Sequence, residues 1–198
     1  MPLRVDVLMH FMESYRPSST GHLIQRVLPE SRQHLFRQER PLDPAAIVAP
    51  DREFWILQAA GERLPANARP EGLQVLLLDG TWAQAGGMAR AVSRWGRKVS
   101  LPMQGESRYW LRTQGWPGRF STAEALLFLL EALGLAEAHA VLRRQFELHV
   151  LANLCARGHK DRAAEFLAGS PAAQAWPDLT RQMVGSRRPP DSDRGGRE

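Results

Sequence analysis

Two short runs, Phe54–Leu57 (FWIL) and Val75–Leu78 (VLLL), are apolar at every position. A strand with one solvated face alternates, so an unbroken short run reads as a strand covered on both sides. Arg4–Met9 (RVDVLM) and Lys98–Leu101 read as two more strands. Helical patterns fall between them. Thr20–Leu28 has Thr20 as its N-cap and Pro29 as its stop. Trp82–Val92 follows the VLLL run, weakened by about 1 kcal/mol at each of Gly86 and Gly87. This alternation predicts an α/β fold, a parallel sheet flanked by helices. From Ser121 the chain turns helical, over Ser121–Leu133, Glu137–Ala156 and Asp161–Leu167, with Gly134 and Gly158 where helix C-caps belong. Residues 1–170 are expected to form one domain with a helical C-terminal extension, and 171–198 a polar, largely disordered tail.

The 198 residues are enough for one real core, and no apolar run approaches the ~20 residues of a membrane span. The opening MPLRVDVLMH is too quickly interrupted for a signal peptide, so a cytoplasmic protein is expected, with a monomer as the default state. Cys155 is the sole cysteine, which excludes an intrachain disulfide and a cysteine-based zinc site. Charge placement says more than the net +5. Between Arg90 and Arg119 lie seven cations (Arg90, Arg94, Arg97, Lys98, Arg108, Arg112, Arg119) against Glu106 alone. Tyr109, Trp110 and Trp116 are interleaved among them, a pattern that suits a polyanionic partner.

In parallel sheets ligands sit beyond the carboxyl ends of strands, and three segments compete for that role. In LLLDGTW, Asp79 sits at a strand end near a helix N-terminus that favours its ionised form. Gly80 permits close approach, Thr81 can cap, and Trp82 offers a flat wall. The same residues would also serve a plain turn with a core Trp. Met9–Leu23 carries His10, Glu13, Arg16, Ser18, Ser19 and Thr20; His10 and Glu13 lack a third convergent ligand, so no metal is expected. In Arg119–Leu130, Ser121-Thr122-Ala123-Glu124 fits a capping box, and the amides at such a helix start can hold a carboxylate.

Together these segments resemble the DTW-domain family. HFMESYRPSSTGHL is similar to its His-Pro-x-Glu…Ser-Asn-Thr-x-x-Leu loop, LLLDGTW to its strand and signature, and FSTAEA to its Ser-Thr-x-Glu-Ala element. The resemblance covers roughly Arg4 to Leu133. It departs at Phe11, where the family has Pro, at Ser19, where it often has Asn, and in lacking the cysteine cluster of many bacterial members.

The resemblance implies a SPOUT-like parallel sheet with a C-terminal trefoil knot, the segment Pro102–Phe120 and the helix after it belonging to the knot. It implies a tRNA-uridine aminocarboxypropyltransferase, moving the 3-amino-3-carboxypropyl group of S-adenosylmethionine (SAM) to N3 of a uridine. Asp79 would contact the ammonium of that group or accept the uridine proton. Thr20, Ser121, Thr122 and the amides around Ala123 would hold its carboxylate. Leu78, Leu101 and Met103 would line the adenine pocket, with Gly80, Thr81 and Trp82 close by. Arg16, Arg90, Arg94, Arg97, Arg108, Arg112 and Arg119 would face tRNA. A SPOUT-like RNA methyltransferase, a ribosomal-RNA aminocarboxypropyltransferase and a non-catalytic RNA-binding relative remain alternatives.

Overall fold

The computed structural model describes residues 2–112 and 118–185. Five strands, β1 (Arg4–His10), β2 (Arg32–Phe36), β3 (Glu53–Arg63), β4 (Leu73–Asp79) and β5 (Arg97–Ser100), form one sheet in the order β2-β1-β4-β3-β5. Every pairing is parallel. Central β1 and β4 are buried along nearly their whole length, β4 as its apolar run requires and β1 with Asp6 buried among its apolar residues.

The two sheet faces have separate cores. Val5, Val7, Met9, Val75 and Leu77 point toward α1 (Gly21–Val27), α3 (Thr122–Ala132) and α4 (Ala136–Ala156). Leu8, Leu76 and Ile56 point the other way, onto Met88 of α2 (Trp82–Ala91) and Val92 at its C-cap. The period-two alternation of β4 therefore puts Asp79 on the α1/α3 side, two and four residues beyond Leu77 and Val75.

From β1 the chain runs through α1 outward to β2; from β4 it runs through α2 past β3 to β5. The two connections leave in opposite directions from neighbouring strands. That divergence opens a crevice beyond the β1 and β4 carboxyl ends, the topological switch point of an open α/β sheet. Met9 and Asp79 face each other in register there.

Several sequence expectations change. β2 was not expected: RQHLF carries no apolar run, because an edge strand needs none. β3 runs six residues past FWIL, with a register irregularity against β5 between Leu57 and Glu62. The expected tail begins later than 171, because α6 (Pro171–Ala175) and α7 (Pro177–Gly185) occupy its first part and Ala172 and Thr180 are buried. Residues 186–198 lie outside the described residues. With α5 (Lys160–Ala168) these helices pack around α4. No helix among the described residues is long and apolar enough to cross a membrane.

Candidate active site at the switch point

A cavity of about 620 Å³ opens at the crevice, within the size range of small-molecule sites. Three chain segments meet on Asp79, whose carboxylate is only 5% exposed. Ser19 Oγ donates to its Oδ2 at 2.8 Å from the β1–α1 loop. Thr122 Oγ1, at the start of α3, donates to its Oδ1 at 2.5 Å. Thr20 Oγ1 accepts from the Ala123 backbone N–H at 3.2 Å and so ties the same loop to α3. Thr20 occupies the N-cap position of α1 without capping it; its hydroxyl is used across the crevice.

This convergence depends on Gly21. A Cβ there would lie 2.6 Å from Asp79 Oδ2 and 2.9 Å from Met9 Cε, so only glycine lets α1 start against the carboxylate. Nothing in the local pattern distinguishes Gly21 from a helix-start glycine.

Burial pushes the Asp79 carboxyl above its ordinary range, and the nearby negative charge of Glu13 adds to this. The Thr122 and Ser19 hydroxyls, with His22, pull the other way. The helix-terminus expectation of an easily ionised acid is therefore reversed: withdrawal from water outweighs the local dipole.

A second ionic group borders the cavity. Glu13 is 1% exposed and accepts from Arg16 Nη1 at 2.8 Å and from Arg112 Nη2 at 2.7 Å. With two guanidinium partners it is committed to ion pairing, and His10 Nδ1 accepts from the Met12 amide. Burial tends to lower the Arg112 pKa, but the carboxylates around it and the Tyr109 hydroxyl raise it on balance. Tyr109 donates its hydroxyl to Ser18 O at 2.6 Å and fastens the 101–112 segment onto the β1–α1 loop.

Of the residues expected to hold a cofactor, Thr20, Leu78, Asp79, Gly80, Thr81, Trp82, Leu101, Met103, Ser121 and Thr122 all line this cavity. Ala123 does not: it is fully buried, its amide spent on Thr20. Trp82 is no core indole. It is 49% exposed at the rim, with the Arg119 guanidinium 5.0 Å from its ring centre. Thr81 and Gln84 form a capping box at the start of α2. Sequence reasoning missed Gln58, Ala59 and Ala60, which line the cavity where β3 shifts register against β5, and gave no binding role to Glu13.

Two features of the expected carboxylate grip change. Ser121 Oγ donates to Glu124 Oε2 at 2.9 Å and accepts from the Glu124 amide, so its one proton is already used. Thr122 has likewise given its proton to Asp79. Ser107 and the Arg108 amide also bond Glu124, which fixes this turn as architecture.

The arginines divide. Arg108 is a correction: it pairs with fully buried Glu147 at 2.7 and 3.1 Å, bonds Phe166 O and lies 4.1 Å from the Phe166 ring centre. Its role is internal, between the 101–112 segment and α4–α5. Tyr109 and Trp110 also pack inward, Trp110 edge-on to Phe166. Arg16 and Arg112 serve Glu13. Arg90, Arg94 and Arg97 are exposed, Arg97 pairing with Glu62, and Arg119 lines the cavity. Trp116 lies outside the described residues.

Fold and site together define a parallel α/β protein with a buried carboxylate beside a cavity at the switch point of its sheet. The family model of the DTW domain matches residues 1–153, and the chain belongs to that family. Membership is consistent with a tRNA-modifying function. No solved structure matches the chain.

Proposed function

We infer that this protein is a tRNA-uridine aminocarboxypropyltransferase, transferring the 3-amino-3-carboxypropyl group of SAM to N3 of a uridine with release of methylthioadenosine. The observation that carries this reading is Asp79. A carboxylate with raised pKa, held rigidly by two hydroxyls, faces a cavity large enough for a nucleoside bearing an amino-acid arm.

The residues present suit such a ligand. The cavity lining includes Asp79, Glu13 and Arg112, a mixed-charge set complementary to an ammonium and a carboxylate. It also includes Leu57, Leu78, Leu101 and Met103, apolar side chains suited to a nucleobase. SAM supplies an electrophilic carbon next to its sulfonium. The chain's work is to choose which carbon meets the nucleophile, and that choice is made by gripping the amino-acid arm.

Each Asp79 oxygen retains acceptor capacity beyond its hydroxyl bond, enough for an ammonium contact. The raised pKa also makes Asp79 a better proton acceptor from an imide than an ordinary carboxylate. With the Ser121 and Thr122 protons committed, the carboxylate contact passes to Arg112, whose planar fork suits it. The free proton of the Thr20 hydroxyl adds a second donor, since that oxygen accepts from Ala123. Trp82 and Arg119 stand at the rim, where a base could stack. The knot of SPOUT enzymes, expected over Pro102–Phe120, belongs to the same proposal; residues 113–117 of that segment lie outside the described residues.

The test is to incubate the protein with SAM and unmodified tRNA, then separate nucleosides and by-products by liquid chromatography and mass spectrometry. The expected result is an aminocarboxypropyl uridine together with methylthioadenosine. S-adenosylhomocysteine with a methylated nucleoside would replace this reading by methyl transfer. SAM failing to bind in calorimetry at millimolar concentration would remove it.

A further inference from the structure

We propose that a second cavity, on the opposite side of α2, holds a phosphodiester-linked nucleotide of the RNA beside the one being modified. The identity of the RNA rests on the function proposed above; the binding site itself does not depend on the transfer chemistry.

This cavity measures about 690 Å³ and lies beyond the carboxyl ends of β1 and β2. Its polar lining comprises His10, Gln38, Gln84, Arg40 and Arg90, with no acid among the described residues that line it. Phe36, Leu42 and Trp95, each partly buried against the α2-side core, form an apolar floor. Cations, amides and a flat apolar surface in one cleft match the phosphate, base edges and base face of a nucleotide.

Arginines elsewhere are of two kinds: some are fastened to acids, and others, Arg94 and Arg119 among them, have no carboxylate partner among the described residues. Arg97, Arg108, Arg112 and Arg143 each have a carboxylate partner. Neither Arg40 nor Arg90, which both line the cleft, has one among the described residues. Charges left without an internal partner next to a cavity are available to an anion.

Helix α2 is a thin wall between the two cavities. Ala85, Gly86 and Ala89 face the first; Gln84, Gly87 and Arg90 face the second. The glycine pair is costly in a helix interior, yet nothing inside the protein requires it. A Cβ on Gly86 or Gly87 would meet only the Arg90 guanidinium, at 3.8 and 4.0 Å, which is ordinary contact. The space is kept on the two surfaces where ligands approach. Gln84 also links the chambers: its Oε1 accepts from the Thr81 amide at 2.8 Å, while its side chain lines the second cavity.

The test is fluorescence anisotropy of the full chain with labelled bulk tRNA across a salt series, with SAM affinity followed separately by calorimetry. The Arg40→Ala/Arg90→Ala double variant is expected to lose at least ~10-fold in tRNA affinity near 0.1 M salt. Its log–log salt slope is expected to fall by about 1.4–1.8, for two phosphate contacts. Gly87→Leu, which adds bulk on the half-buried helix face that lines this cavity and removes no charge, is expected to weaken tRNA binding as well. SAM affinity should stay unchanged in both, and Arg181→Ala on α7 should bind tRNA like the parent. The proposal is overturned if both cavity variants keep the parent affinity and slope, or if the parent fails to bind tRNA at low salt. It is also overturned if inorganic phosphate occupies the cleft while tRNA binding ignores the substitutions. Loss of SAM binding alone would sink the proposed transfer reaction and leave this site standing.

Discussion

Gly21→Ala is the smallest perturbation that tests the architecture of the carboxylate. The added methyl carbon would sit 2.6 Å from Asp79 Oδ2, 2.8 Å from its Cγ and 2.9 Å from Met9 Cε. The oxygen is about 0.8 Å inside ordinary contact, in an interior dense enough to transmit the strain. Asp79 cannot yield freely, because Ser19 and Thr122 hold its two oxygens from different segments. Either the carboxylate rotates and stretches both hydroxyl bonds, or α1 lifts from the sheet. Overpacking costs about 1–3 kcal/mol and each weakened hydrogen bond about 0.5–1.5. The better helix propensity of alanine returns up to ~1 kcal/mol. A net loss of about 2 kcal/mol lowers Tm by about 4–8 °C in a chain of this size.

Activity should fall further than stability. Misplacing a reacting group by about 1 Å can cost ~100-fold, so single-turnover transfer at a temperature well below Tm should drop by about that factor. Thermal melts by circular dichroism and single-turnover assays on the same sample separate the two effects. An alanine variant with parental Tm and parental turnover would refute the claim that the α1 start is pressed against a catalytic carboxylate.

Asp79→Asn should abolish transfer without destabilising the protein at neutral pH. Because the folded pKa is raised, the ionised form costs stability once pH rises above the unfolded carboxyl value near ~3.9, and this cost is full above the folded value. The Asn variant should therefore melt at or above the parent at pH 7, the gap closing as pH falls toward ~4; a lower Tm at pH 7 contradicts it. Arg108→Ala should cost about 2–4 kcal/mol in urea denaturation, since Glu147 is fully buried and keeps only Arg143. The salt slope of tRNA binding should not change, and a reduced slope would return Arg108 to the RNA surface. Ser121→Ala should lose ~1 kcal/mol through its cap and keep SAM affinity within a few fold by calorimetry, because its hydroxyl faces Glu124.

What the sequence disclosed follows from which interactions leave a local mark. FWIL and VLLL announced β3 and β4 because a strand buried on both faces has no polar positions. Edge strand β2 had no such constraint and RQHLF went unread. Ser121 and Thr81 were legible as caps because a cap is a local contact between residues three apart. The position of Asp79 at a strand end was legible through its neighbours, but its pKa direction was not, since burial depends on α1 and α3 closing over it. The arginines between 90 and 119 show the same limit most sharply. Seven cations in thirty residues looked like one surface, yet Arg108 and Arg112 find Glu147 and Glu13 through contacts 39 and 99 residues away. Their charge is neutralised by acids that no local window contains. Arg40 and Arg90, far apart in sequence, line one cleft because parallel topology brings the chain segments that follow β2 and β4 to the same edge of the sheet. The order of charges along the chain does not reveal the partner of each cation, and that partner is what tells an internal fastening from a charge left facing solvent.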